Sequence, residues 1–142
     1  MESKYEKLIS GIEMEEIFLS SVKYKRSGTP DPEKYPEVRV SFTPEKASYK
    51  QKGNQLEVRQ KFIFLLDEFE DGDQKPHKLF ELKGEYALTY RSEAKMDDEL
   101  FELFKARNIP VNLQPYIREL VQSSLTRVGL PPFTLPVLKI KR

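Results

Sequence analysis

The chain carries a single histidine, His77, and no cysteine, which removes most of the reactive chemistry that 142 residues could hold. Without thiols there is no disulfide framework, no thiol nucleophile and no thiolate metal site. With one imidazole a histidine-rich metal site is excluded, and a Ser-His-Asp triad would have to be built on His77, which lies in a polar turn and reads as a surface residue. The acidic run Asp67, Asp71, Gly72 and Asp73 has the composition of a calcium loop. Counted from Asp67, however, the third position is Phe69 and the twelfth is Lys78, where such a loop needs an oxygen ligand and a bidentate glutamate. The run reads instead as a solvated hairpin turn. The 6 glycines form neither a phosphate-cradling loop nor a dinucleotide fingerprint, and no carboxylate pair is set in an apolar context that would raise a pKa. The expectation is a protein that is not an enzyme and uses neither metal nor cofactor.

Binding is the class that remains. Lys23, Lys25 and Arg26 form one basic cluster and Lys139, Lys141 and Arg142 another, but no recognition helix or stacking platform accompanies them. They read as solvated strand ends, and nucleic acid is not an expected partner. The 24 basic residues against 23 acidic leave a formal net charge of +1, so no whole-surface field draws nucleic acid or anionic lipid. Met1 to Ser10 has no apolar h-region, and nowhere do about 18 apolar residues run together. Neither a secretory signal nor a membrane span is expected, and the absence of cysteine agrees with a reducing cytoplasm.

The elements that must position any binding surface follow from periodicity. Residues 1–12 have the makings of a short helix through Tyr5, Leu8 and Ile9, ending at Gly11, short enough to fray. Alternation predicts four strands. Glu16 to Arg26 sets Phe18, Ser20, Val22 and Tyr24 against Ile17, Leu19 and Ser21, and Glu37 to Thr43 sets Val38, Val40 and Phe42 against Arg39 and Ser41. After Pro44 the second strand resumes at an edge. A third runs from Leu56 to Asp67 and a fourth from Phe80 to Arg91. The far half of the third strand is apolar on both faces, which calls for a cover over the outer one. Asp97, Asp98 and Glu99 open a short helix through Phe104, and a long helix follows. Strands first and helices after, without βα alternation, is the α+β pattern: a four-stranded antiparallel sheet with a short and a long helix on one face. The chain, 1–142, reads as one domain, with 1–12 and 139–142 as flexible ends.

In the long helix Tyr116, Ile117, Leu120, Val121, Leu125 and Val128 fall on one stripe. Asn112 is the expected N-cap, with Pro115 in the first turn. Gly129 supplies the left-handed stop, and Pro131 and Pro132 forbid resumption, sending Phe133, Leu135, Val137 and Leu138 into an extended apolar arm. On composition alone the arm caps the core; the alternative is the wall of a groove or a subunit interface.

The run Asn112-Leu-Gln-Pro-Tyr-Ile-Arg-Glu119, then Arg127-Val-Gly-Leu-Pro-Pro-Phe-Thr-Leu-Pro-Val137, resembles the signature of the SecB family of ATP-independent export chaperones, a Pro-Tyr-x-Arg-Glu helix followed by a proline-rich apolar loop. The motif covers the C-terminal third, and the four strands agree in number and order over residues 13–138. The resemblance implies a Greek-key sheet with the Pro115 helix packed on it, assembled as a dimer of dimers through strand edges and helix faces. It implies holding of unfolded polypeptide clients in apolar grooves near the loop after the helix. Carried onto this sequence, the client-binding residues are Leu130, Pro131, Phe133 and Leu135, while Pro115, Tyr116, Arg118, Glu119 and Gly129 form the structural motif. In the export chaperones the loop leads into a second helix and an acidic tail that engages the translocase motor. This sequence shows neither before Arg142, so the resemblance does not carry motor docking. Divergent members of the family include chaperones that hold the antitoxin of a toxin–antitoxin pair, which is the alternative role.

Overall fold

The structure, a computed structural model, describes residues 2–72 and 75–131. In chain order the elements are α1 (Glu2–Ser10), β1 (Ile12–Arg26), β2 (Glu37–Lys52), β3 (Gln55–Phe69), β4 (His77–Ser92), α2 (Asp98–Arg107) and α3 (Ile109–Arg127). The strands lie in the order β1-β4-β3-β2, every neighbour antiparallel. β2, β3 and β4 form a meander, and the crossover through residues 27–36 lets β1 lie beside β4, which makes the sheet a Greek key.

The two central strands alternate over most of their length, with Leu79 and Ala87 of β4 buried besides the core-facing row. On β3 the even positions Leu56, Val58, Gln60, Phe62, Phe64 and Leu66 are buried, and opposite them on β4 lie Tyr90, Leu88, Tyr86, Gly84, Leu82 and Phe80 in turn. Gly84 faces Phe62, and a Cβ there would come within 2.7 Å of Phe62 Cζ. The missing side chain is the seat of the Phe62 ring, which stacks on Tyr86 at 5.7 Å.

β1 departs from the simple alternation. Its register on β4 slips between Met14 and Glu16 and again between Leu19 and Ser21. Each slip inserts one unpaired residue and reverses which face the following side chains take. Met14, Ile17, Leu19, Val22 and Tyr24 therefore all lie on the face of Tyr90, Leu88, Tyr86, Gly84 and Leu82, while Phe18 pairs with Ala87 on the other. The expected grouping of Phe18 with Val22 and Tyr24 is corrected by that second bulge. β2 keeps Val40 and Phe42 on the core face and resumes after a bulge between Pro44 and Ala47, as its proline requires. Ile63 and Leu65, on the outer face, are half-buried between Thr43 and Ser41 on one side and Lys83 and Glu81 on the other. Lysine and glutamate stems provide part of the cover that these positions need.

The helices close the core over the other face. α1 buries Leu8 completely and Tyr5 almost so, and the Tyr5 hydroxyl donates to Asn108 Oδ1. α2 is capped by Asp97, whose carboxylate accepts from the Leu100 N–H at 2.8 Å. α3 begins at Ile109, a turn earlier than expected, because Pro110 occupies the first turn and ends α2 by withholding the N–H that the Ala106 carbonyl would use. Asn112 is accordingly not the N-cap; it lies inside the helix and accepts from the Tyr90 hydroxyl at 2.7 Å. Pro115 is interior too, and the carbonyl its ring leaves unbonded is that of Val111, an exposed residue open to water.

Candidate functional site

Three hydrogen bonds fix the path of α3 over the sheet. Tyr90 reaches Asn112, the Tyr86 hydroxyl donates to the Tyr116 carbonyl at 3.1 Å, and Arg26, opposite Phe80 in the register, reaches the Val128 carbonyl. The helix therefore runs along β4 from its Tyr90 end to its Phe80 end. Burial pushes the Tyr86 hydroxyl up to about 12 and that of Tyr90 up further, so both stay neutral donors. Ile109, Leu113, Ile117, Leu120, Val121 and Leu125 are buried beneath it.

Between α3 and the edge strand β2 lies a groove of about 300 Å³. Phe42 and Pro44 of β2 form one wall, Ile109, Pro110, Leu113 and Ile117 of α3 the other, and Phe62 and Gln60 of β3 the floor. Two charged residues border it: Glu45, in the β2 bulge, and Lys105, which pairs with Glu102 at 3.1 Å. Apolar walls with a few polar groups suit the side chains of an extended polypeptide or another apolar ligand. Among the described residues no group of three or more His, Asp or Glu is placed to hold a metal ion. No described helix is long and apolar enough to cross a membrane.

On the other flank of α3 the apolar face of β1 is open. Met14, Val22 and Tyr116 are exposed there, and Phe18 is exposed on the opposite face of the same edge strand. Tyr116 thus lies at the margin of the helix stripe rather than in it, its ring set edge-on to Tyr86 at 6.2 Å.

The end of α3 is a Schellman turn: Gly129 at φ 73°, its N–H on Thr126 O at 3.1 Å, and the Leu130 N–H on Leu125 O at 3.0 Å. Leu130 is 4% exposed and joins the core, while Pro131 is exposed. Phe133 and Leu135 lie outside the described residues. In the helical motif Pro115, Tyr116 and Glu119 are exposed and Arg118 is half-buried. Arg26 caps this end, Nη1 donating to Val128 O at 2.8 Å while Nε donates to Gly28 O at 3.0 Å. It is therefore no solvated strand end, although Lys23 and Lys25 are exposed.

His77 is likewise not a free surface residue. Its ring stacks on Tyr35 at 4.3 Å and its Nδ1 lies 3.1 Å from Oε1 of Glu68, a buried carboxylate that also accepts from the Asp31 N–H. These contacts fasten the crossover to the sheet. Next to Glu68, burial raises the Asp67 carboxyl above its ordinary range. One signal for the groove is present in the sequence, Gln60 interrupting the apolar row of β3.

No protein-family model matches the chain, and no curated protein matches it. Solved structures do. One is the Mycobacterium tuberculosis SecB-like chaperone Rv1957, in complex with a ChAD peptide from the HigA1 antitoxin: it shares 19% identity over 99% of each chain, with a TM-score of 0.80. Another is a protein of unknown function from Streptococcus agalactiae, with 14% identity, 87% of this chain and 95% of that one covered, and a TM-score of 0.45. The chain therefore has the α+β fold of a SecB-like chaperone.

Proposed function

We propose that this chain is a divergent SecB-like holding chaperone, which binds apolar stretches of unfolded or partly folded polypeptide and uses no nucleotide. The observation that carries the reading is the apolar groove between β2 and α3, set in a fold shared with a SecB-like chaperone. Leu130 anchors the start of the C-terminal arm in the core, and Pro131, Phe133 and Leu135 extend the client surface beyond it. The protein works in the cytoplasm as a homo-oligomer, a dimer of dimers. Its dimer edge is β1, where Met14, Phe18 and Val22 are exposed, whereas β2 is guarded by Pro44, a bulge and lysines. The test is suppression of aggregation of a denatured model client, with light scattering of the protein alone. Absence of both suppression and peptide binding overturns the reading, and a monomer at micromolar concentration overturns the oligomer.

A second reading is favoured by the neighbour's bound antitoxin peptide: the chain is a dedicated chaperone for one antitoxin segment. Equal affinity for unrelated apolar peptides supports general holding, and a preference of a hundredfold or more for one antitoxin segment supports the dedicated role. Docking on the export translocase is a separate property, tested by co-sedimentation with the motor.

A further inference from the structure

Gln60 is a polar residue set between Val58 and Phe62 in the core-facing row of β3, and it is 4% exposed. Its carboxamide nitrogen donates twice, to Glu45 O at 3.0 Å and to Lys61 O at 2.8 Å. Turning the carboxamide over would set its oxygen against both carbonyls, so the orientation is fixed by the β2 bulge itself. The oxygen Oε1 is left as an acceptor with no hydrogen-bond donor among the described residues. Yet no described side-chain oxygen or nitrogen is sealed from solvent without a partner, so Oε1 is not enclosed in the core. Gln60 lines the groove, whose floor it forms with Phe62.

We infer that Gln60 is a specificity-determining residue of the groove: its Oε1 accepts a hydrogen bond from a backbone N–H of an extended apolar segment bound against α3 and β2. The inference rests on the client-binding reading. An apolar groove alone selects for greasiness and size. A fixed, nearly buried acceptor adds a demand for one correctly placed N–H, since a bound chain that covers Oε1 without donating leaves it desolvated and unpaired. The groove thereby favours main chain in extended form over a helix, whose interior amides are already used.

The probe is a fluorescein-labelled decapeptide of alternating leucine and serine, together with ten versions each N-methylated at one backbone nitrogen. Wild-type protein is expected to lose about tenfold affinity at one or two positions. In Gln60→Met, which keeps the volume and removes the acceptor together with the N–H donors to Glu45 O and Lys61 O, those positions should lose no more than the rest. The same methylation penalty at every position, or equal penalties in wild type and Gln60→Met, overturns the inference. Should Gln60→Met fail to fold, the 13C signal of the wild-type Gln60 carboxamide decides: it should move with the parent peptide and not with the critical methylated one, and a signal that moves with neither overturns the inference. Binding with a silent Gln60 defeats this inference alone, whereas no binding defeats the client-binding reading with it.

Discussion

Replacing Arg26 by methionine keeps the aliphatic stem and removes the guanidinium that joins three parts of the molecule. In the parent, Nη1 donates to Val128 O at 2.8 Å, Nε to Gly28 O at 3.0 Å, and Nη2 to Thr29 Oγ1 at 3.4 Å. A hydrogen bond from a charged group is worth about 1.5 kcal/mol at the lower end of its range, the end that suits a half-exposed site. The first two bonds are short; the third is too long to add much. A cation at a helix C-terminus contributes about 0.5 kcal/mol more. Water reaches the Val128 carbonyl once the side chain is gone and returns part of the sum, so the net loss is about 2 kcal/mol. For a chain of this size that lowers Tm by about 6 °C. Arg26→Lys keeps the charge but only one of the two short bonds and should lose about half as much. Thermal unfolding followed by circular dichroism at fixed concentration reads the stability. Hydrogen exchange at Gly129 and Leu130, whose amides close the Schellman turn, reads whether the helix end has loosened. A loss under about 0.5 kcal/mol for Arg26→Met would refute the capping role and return Arg26 to the solvated strand end that Lys23 and Lys25 form.

Gly84→Ala drives a methyl to within 2.7 Å of Phe62 Cζ, and denaturant titration should show a loss of about 1–3 kcal/mol, which a paired Phe62→Leu partly restores. Alkaline titration followed by phenolate absorbance should find Tyr86 still protonated at pH 11, since burial raises it to about 12 from 10.0. The unfolded chain ionises first, so this contribution is fully present below pH 10 and is lost as pH rises from 10 to 12, by about 3 kcal/mol in all. Tyr49 should ionise equally late, held up to about 12 first by its hydrogen bond to Asp98; Asp98→Asn should bring it down. Val22→Glu on the open flank of β1 should shift the light-scattering mass toward the monomer while leaving the circular dichroism spectrum unchanged. Phe133→Ser and Leu135→Ser should weaken client-peptide binding more than folding; equal loss of both would make the arm part of the core.

Legibility in the sequence tracked how local the deciding interaction is. β3 alternates in and out of the core from Leu56 to Leu66 and β4 largely follows it, because both lie in the middle of the sheet. β1 resists the same reading since its two bulges reverse the phase, and a bulge is set by the partner strand rather than by the residues within it. The start of α3 is ambiguous in the sequence because Pro110 and Pro115 each suit a first turn; the packing of Asn112 against Tyr90 decides between them. His77 looks like a turn residue until Tyr35 and Glu68 are brought to it by a crossover that sequence spacing does not reveal.

The groove shows the same limit in a more consequential form. The helix and arm announce themselves in one continuous stretch, and the resemblance that they carry agrees with the fold. The wall facing α3 and the floor come from β2 and β3, about fifty residues and more earlier in the chain. One residue linked the two in advance. A glutamine in an apolar row must find partners or cost stability, and Gln60 finds them in Lys61 and in Glu45 of the β2 bulge. The same bulge that interrupts the edge of β2 thus holds the floor of the groove in place, so changing Gln60 tests the geometry of the edge and the chemistry of the groove together.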